Sequence, residues 1–459
     1  MTDRTPLYTA LTGHVGLGRV SLHTPGHKGS AHILSGLSLA LDLTELPDTD
    51  ALYEADGVIA QAEALATRLY GSDRTVFSAG GCSLAIQAML RCCCEEGEKV
   101  IIDRGCHRTA VNASALLGLE PVWLMSRARS VDGLFPLPTA EDVEDTLRLH
   151  PDARAVYLTS PDYMGRLCDI EGISAVCRRR DIPLLVDNAH GSHLIAFDEM
   201  HPLKQGASMT ACSAHKTLPV LTGGAFLSSN DPGLSDRMKG AMSLFGSTSP
   251  SYLIMASLDL CRSWLEDEGV DELRHTTDLC AQIKQTAVQA GFSLPVGTVD
   301  PMRITLLTRS AGMSGNLAAG LLRRRGFEPE YADDACVVLL PTPFVTDRQM
   351  EELRTAIEGL PEAARSEETE QTPTMPPIGE VLSCAARAER VMSLRAAALT
   401  GSQSVSVLAA PGRIAAASVC PCPPGVPVVM PGERISEECA GLLNRLGVQT
   451  VECVISENA

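Results

Sequence analysis

The sequence predicts an α/β fold: a mostly parallel sheet with helices on both faces, a smaller α/β domain, and an appended C-terminal domain. Three observations point there. Between about residues 75 and 230, short apolar runs alternate with longer amphipathic stretches, the rhythm of β-α-β units whose strands are buried on both sides. A shorter alternation of the same kind follows a helical stretch near 250–290. The segment 361–379, PEAARSEETEQTPTMPPIG, is rich in Pro, Glu and Thr and nearly free of bulky apolar residues, so it reads as a linker before the last part of the chain.

The strands are expected at 75–77, 100–103, 121–124, 155–158, 184–187, 211–212 and 224–227, with helices at 84–94 and 140–149 between them. In the second unit, 303–308 and 335–340 read as strands around a helix at 316–325 that Gly326 stops. Beyond the linker, 381–399 reads as one helix, and a Pro/Gly-dense stretch begins at Pro421. The expected division is an N-terminal arm 1–45, a large domain 46–262, a small α/β domain 263–360, the linker 361–379 and a C-terminal domain 380–459. No internal repeat is present.

Composition narrows the function. The 459 residues carry 56 acidic and 38 basic side chains, a formal charge of −18. That balance argues against nucleic acid or an anionic membrane as the main partner, since both call for clustered Lys and Arg; it is compatible with a cationic small substrate. At 45% hydrophobic content, the chain is not disordered as a whole. The N-terminus lacks a basic region followed by an apolar core, and no uninterrupted apolar run approaches ~18 residues. A cytoplasmic globular protein is expected. The sixteen cysteines include no C-x-x-C pair, so buried free thiols in a reducing compartment are expected rather than disulfides or a metal site.

Four features fall where strands end, the edge at which parallel sheets bind ligands. Gly81-Cys82-Ser83 opens a helix, and glycines, a hydroxyl and a helix N-terminus suit a phosphate, although a glycine turn with a serine cap explains the segment as well. Asp187 closes an apolar strand, where a carboxylate is costly unless it caps a helix or pairs with a cation. Ala189-His190-Gly191-Ser192-His193 follows it. Lys216 lies among small and apolar residues in SAHKTLP, from Ser213; desolvation favours the neutral amine of a lysine and makes it a nucleophile toward a carbonyl. Anion cradle, carboxylate and amine are the contacts that pyridoxal phosphate (PLP) needs.

These segments resemble the Orn/Lys/Arg decarboxylase family of fold-type-I PLP-dependent enzymes, and they occur in family order along nearly the whole chain. The matching stretches are HTPGHKG from His23, DLTEL from Asp42, Gly81-Cys82-Ser83, DRGCHR from Asp103, DNAHG from Asp187, SAHKTLPVLTGG from Ser213, PGRI from Pro411 and CPPGVPVVMPGE from Cys422. The resemblance implies that Lys216 binds the cofactor aldehyde and that Asp187 keeps its ring nitrogen protonated. It further implies that Gly81, Cys82, Ser83, Ser213 and His215 bind phosphate. His107 would stack on one ring face, Ala189 would pack on the other, and His190 would lie near the imine carbon and the substrate carboxylate. Glu433, in the P-G-E stretch, would help recognise a basic substrate. Lys216, His190 and Asp187 are thus the expected catalytic residues, no metal is expected, and the sites would be shared in a homodimer or higher homo-oligomer. The chain resembles the short form of the family, without an N-terminal receiver-like domain. It departs from the family in reading Gly-Cys-Ser for Gly-Ser-Thr, Ser160-Pro161-Asp162-Tyr163-Met164 for the commoner Pro-Thr-Tyr-Tyr, and Gly223 for a frequent Gln.

The implied activity is decarboxylation of arginine, lysine or ornithine, feeding polyamine metabolism. An aminotransferase or β-eliminating lyase on the same fold, and a non-catalytic PLP-binding regulatory partner, are the alternatives.

Overall fold

The computed structural model of the chain describes residues 6–127, 134–197, 199–367, 378–420 and 427–455. The arm contributes a short strand, β1 (Val20–Leu22). The large domain holds seven more: β2 (Arg74–Ser78), β3 (Lys99–Asp103), β4 (Glu120–Leu124), β5 (Ala155–Thr159), β6 (Leu184–Asp187), β7 (Met209–Cys212) and β8 (Ala225–Ser229). They form one sheet in the order β2-β8-β7-β6-β5-β3-β4, in which β8 alone runs against its neighbours. This is the mostly parallel sheet that the uninterrupted apolar runs predict.

Strand periodicity sorts the side chains onto two buried faces. Ile101, Val156, Leu158, Leu184 and Val186 pack with helices Ala140–Leu149 and Ile170–Arg179. Val100, Ile102, Tyr157, Leu185 and Ala211 pack on the other side with helices Gly81–Cys93 and Arg108–Leu117. Every described cysteine is a free thiol, and only Cys420 among them is exposed. Burial pushes the thiols of Cys82 and Cys106 well above their ordinary range, so both are protonated, small apolar fillers.

A long helical stretch, Tyr252–Trp264 continuing through Val270–Gln289, leads into the smaller unit. There β9 (Ile304–Leu307), β10 (Phe327–Pro329), β11 (Tyr331–Ala332) and β12 (Cys336–Leu339) surround helix Gly315–Arg324. The order β11-β12-β9 is antiparallel, and β10 pairs in parallel with β1 of the arm. The segment expected as a linker is helical at its near end, Leu360–Arg365, and helix Ile378–Ala386 begins at its far end; 368–377 lie outside the described residues. So do 421–426, within the Pro/Gly-dense stretch.

The single helix expected over 381–399 is instead two, Ile378–Ala386 and Leu394–Leu399. The chain opens between them because the amides of Val391 and Met392 both donate to the Gly432 carbonyl, and Ser393 then caps the second helix. An antiparallel pair of strands distant in sequence, β13 (Ser402–Ser406) and β14 (Thr450–Val454), with helix Glu437–Arg445 completes this part. No described helix is long and apolar enough to cross a membrane.

Candidate active site

The loops after β2, β3, β5, β6 and β7 all leave the same carboxyl edge of the sheet. Lys216 lies on the helical turn Ala214–Thr217 that follows β7, half-buried. Its Nζ is 3.0 Å from Nε2 of His190, which the loop after β6 carries. The other ring nitrogen, Nδ1, is 3.2 Å from Nη2 of Arg303, the residue before β9 of the small unit. Arg303 Nη1 donates to the Tyr163 carbonyl at 2.7 Å. Burial first, then the charges of Lys216 and Arg303, push the His190 imidazole well below its ordinary range, so the ring is neutral.

Asp187 closes β6 and is 2% exposed. Its Oδ1 accepts from the Ala189 amide and its Oδ2 from the Tyr157 hydroxyl, each at 3.1 Å. The register places Thr159 beside Asp187, so Tyr157, two residues earlier on β5, reaches across to the carboxylate. Burial, then the charge of Asp187, push the Tyr157 hydroxyl well above its ordinary range and keep it a donor. Two neutral donors hold this carboxylate, and no described cation pairs with it.

Gly81 opens helix Gly81–Cys93 at φ +73°, a left-handed conformation that glycine adopts without strain, with open space where a Cβ would stand. The Gly81 amide is taken by the Gly223 carbonyl. The next amides, Cys82 and Ser83, have no intrahelical partner by the geometry of any helix N-terminus, which makes an anion cradle. Ser83 Oγ is 3.3 Å from Thr109 Oγ1, which lies 2.8 Å from His107 Nδ1. His107 itself caps helix Arg108–Leu117 through that nitrogen, leaving its exposed ring beside the cradle. Ser213 is buried beside the Cys82 side chain. His215 Nδ1 meets the Gly224 carbonyl at 3.0 Å, and Ala189 packs in the same core as Cys82 and Cys106.

Lys216, His190, Asp187, Ala189, His107, Ser213, His215 and the Gly81–Ser83 turn therefore gather at one edge. Glu433 is different. Its Oε1 and Oε2 bind Arg104 Nη1 and Nη2 at 2.6 and 2.8 Å, and Oε2 also accepts from the Met430 amide. No described contact joins it to Lys216, His190 or Asp187, and its carboxylate is spent on an internal ion pair rather than left for a substrate. Sequence reasoning missed Arg303, Tyr157 and Thr109. A tyrosine inside an aliphatic strand and an arginine heading an apolar one were the available signals.

Residues 5–293 match the Orn/Lys/Arg decarboxylase major domain, and 387–449 match the Orn/Lys/Arg decarboxylase C-terminal domain. An uncharacterized protein of Bacillus subtilis (strain 168), YaaO, is 34% identical over 467 residues, covering 96% of this chain and 94% of its own. The arginine decarboxylase of the same organism is 30% identical over 455 residues, covering 95% of this chain and 92% of its own. Among solved structures, lysine decarboxylase A from Pseudomonas aeruginosa matches with a TM-score of 0.76 at 20% identity, over 98% of this chain and 80% of that one. That likeness establishes the fold as that of fold-type-I PLP enzymes.

Proposed function

This chain belongs to the Orn/Lys/Arg decarboxylase family, and on that premise we propose that it decarboxylates arginine to the corresponding amine and CO₂, feeding polyamine metabolism. The coarser statement, that it is a PLP-dependent decarboxylase of a basic amino acid, follows from the family match and the relatives. Arginine is favoured because a relative of that name matches over nearly the full length of both chains. The observation that carries the reading is the 3.0 Å approach of Lys216 to His190 at the carboxyl edge, one strand from Asp187.

The residues present fit the cofactor. Asp187 is a buried carboxylate without a cation, as a protonated ring nitrogen requires; the amides of Cys82 and Ser83 suit a phosphate, with Ser213 and His215 close by; His107 and Ala189 would flank the ring. When bound, PLP supplies an electron sink for the carbanion left as CO₂ departs. Lys216 would hold the cofactor until the substrate amine displaces it. Asp187, fixed by Tyr157 and Ala189, is preorganised for the positive charge it must stabilise; losing such a group typically costs about 3–4 kcal/mol of barrier. His190, itself buried, would face the substrate carboxylate with a neutral ring.

We also place the protein in the cytoplasm as a homodimer or larger homo-oligomer with shared sites. Large apolar side chains that the arm leaves exposed, Val15, Leu17, Leu39, Leu41 and Leu43, support that assembly, which sedimentation would test. For the activity, carboxyl-labelled arginine, lysine and ornithine are compared side by side. Labelled CO₂ from arginine fastest, and none from Lys216→Ala, is the expected outcome. A wild type that stays colourless after adding PLP would sink the reading.

A further inference from the structure

We propose that Glu330 and Tyr163 form the subsite for the cationic end of the substrate side chain, the carboxylate receiving the guanidinium or ammonium and the tyrosine ring lining its path. The inference rests on the decarboxylase reading above and names the group by which this chain tells a basic amino acid from a neutral one.

Position comes first. Tyr163 lies in the loop after β5, within 160–164, the segment that departs from the commoner family pattern. Its ring meets the His190 ring edge-on, with centroids 5.1 Å apart, and His190 Nε2 is 3.0 Å from Lys216 Nζ. The Tyr163 hydroxyl donates to Glu330 Oε1 at 3.0 Å. Glu330 Oε2 accepts from the Thr24 amide of the arm at 2.9 Å. Two residues on, the Gly26 amide reaches the His215 carbonyl, next to Lys216 in the chain. Glu330, between β10 and β11, is thus held by both the arm and the loop after β5. An extended arginine spans about 7 Å from α-nitrogen to guanidinium carbon, and a hydrogen bond adds about 3 Å. That reach suits a carboxylate set off from the lysine by one imidazole and one phenol ring.

The neighbouring acids are committed elsewhere. Asp187 is held by Tyr157 and Ala189, Asp162 pairs with Arg166, Asp300 with His193 and Glu433 with Arg104. Glu330 has two neutral donors, and among the described residues no ion pair joins it. Lys28 is close enough to feel its charge, but Lys28 Nζ donates to the His23 carbonyl. Burial pulls the Lys28 ammonium down from 10.5 to about 7, although Glu330 opposes the shift. Near neutral pH this lysine is only half charged, which leaves Glu330 for a ligand. The Tyr331 ring stands edge-on to Tyr163 at 5.3 Å, and its hydroxyl donates to Asp333 Oδ2 at 3.0 Å. A guanidinium pairs with carboxylate oxygens in its plane and stacks on aromatic faces, so an acid beside two phenol rings suits it. Glu330 is half-buried and Tyr163 exposed, so a ligand can reach both.

The test measures binding rather than turnover. δ-Guanidinovalerate is arginine without its α-amine, so it cannot bond to the cofactor aldehyde, and δ-ureidovalerate is its uncharged counterpart. Both are titrated calorimetrically into the full-length holoenzyme. The wild type should bind the guanidino acid at least about tenfold more tightly. Glu330→Gln keeps an acceptor for the Tyr163 hydroxyl; it should lower that preference by about tenfold or more and leave the affinity for δ-ureidovalerate unchanged. Glu330→Ala, measured in parallel, replaces a Gln variant that does not fold. A wild type without the preference, or a smaller loss in the variant, overturns the proposal. So does equal weakening of both ligands, which would make Glu330 only a tie between arm and loop. Turnover separates the failures. A wild type that releases CO₂ from none of arginine, lysine and ornithine overturns the decarboxylase reading; one that releases it while the preference is unmoved by Glu330→Gln overturns only the subsite.

Discussion

Asp103 ends β3 inside the protein, its carboxylate accepting from the Gly105 amide at 3.0 Å. Burial pushes this carboxyl up from 3.8 to about 7, and the charge of Asp162 adds to the shift. The folded value thus lies above the unfolded one, so the native state binds the extra proton between them. The resulting stabilisation is full below about pH 3.8 and is lost as pH rises through about 7. Asp103→Asn fixes the neutral form and keeps an acceptor for Gly105. Its melting temperature should gain on the wild type as pH is raised from about 4 to about 8; a gap that stays constant across calorimetric scans would refute the shift. Residue types were readable in the sequence where chemistry is local: a lysine among small apolar neighbours, a carboxylate closing a strand. Arg303 was not, because it meets His190 from 113 positions away. His107 was legible only through the family resemblance, since its capping bond to Thr109 depends on where a helix begins.

At the scale of elements, the buried strands were legible because a two-sided core demands near-continuous apolar runs, and observed ends differ from expected ones by one or two residues. The arm strand β1 was not: three residues carry no period, and its partner β10 lies some three hundred positions on. Yet this arm reaches the lysine. The Gly26 amide donates to the His215 carbonyl at 2.8 Å, and Thr342 Oγ1 donates to the Gly26 carbonyl. A Cβ on Gly26 would stand 2.5 Å from the Leu218 carbonyl oxygen and 2.7 Å from its nitrogen. Backbone atoms have no rotamer to retreat into, so Gly26→Ala must push the arm off the lysine turn, at a cost of about 1–3 kcal/mol. Thermal melts and retention of PLP through dialysis should both fall. Gly36→Ala, with nothing within 4 Å of its added Cβ, should leave both unchanged; equal behaviour of the two variants would deny the arm its docking role.

At the scale of the molecule, the C-terminal part closes the sheet. β4 is an edge strand, and exposed edges invite pairing with other chains. Arg390 Nη1 binds the Pro121 carbonyl on β4 at 3.2 Å, and Arg395 Nη1 binds the Leu116 carbonyl at 3.0 Å. The Arg104–Glu433 pair joins the same two parts of the chain, its side chains 1% and 3% exposed, with Arg104 also donating to the Val428 carbonyl and lying over the Trp123 ring. The resemblance gave Glu433 to the substrate; the geometry supports a clasp between the C-terminal part and the sheet, and the two roles separate cleanly by experiment. Removing one partner of a buried ion pair strands the other charge, at a cost of about 3–5 kcal/mol, whereas replacing both with apolar groups of similar size is often neutral. As a clasp, Glu433→Gln should lower the melting temperature, and Arg104→Met with Glu433→Leu should restore most of it. As a substrate contact, Glu433→Gln should raise KM for arginine with stability unchanged, and the double variant should not restore KM. Paired melting and steady-state measurements on these variants decide it: a KM that moves by more than about tenfold while the melt stays put would return Glu433 to the substrate.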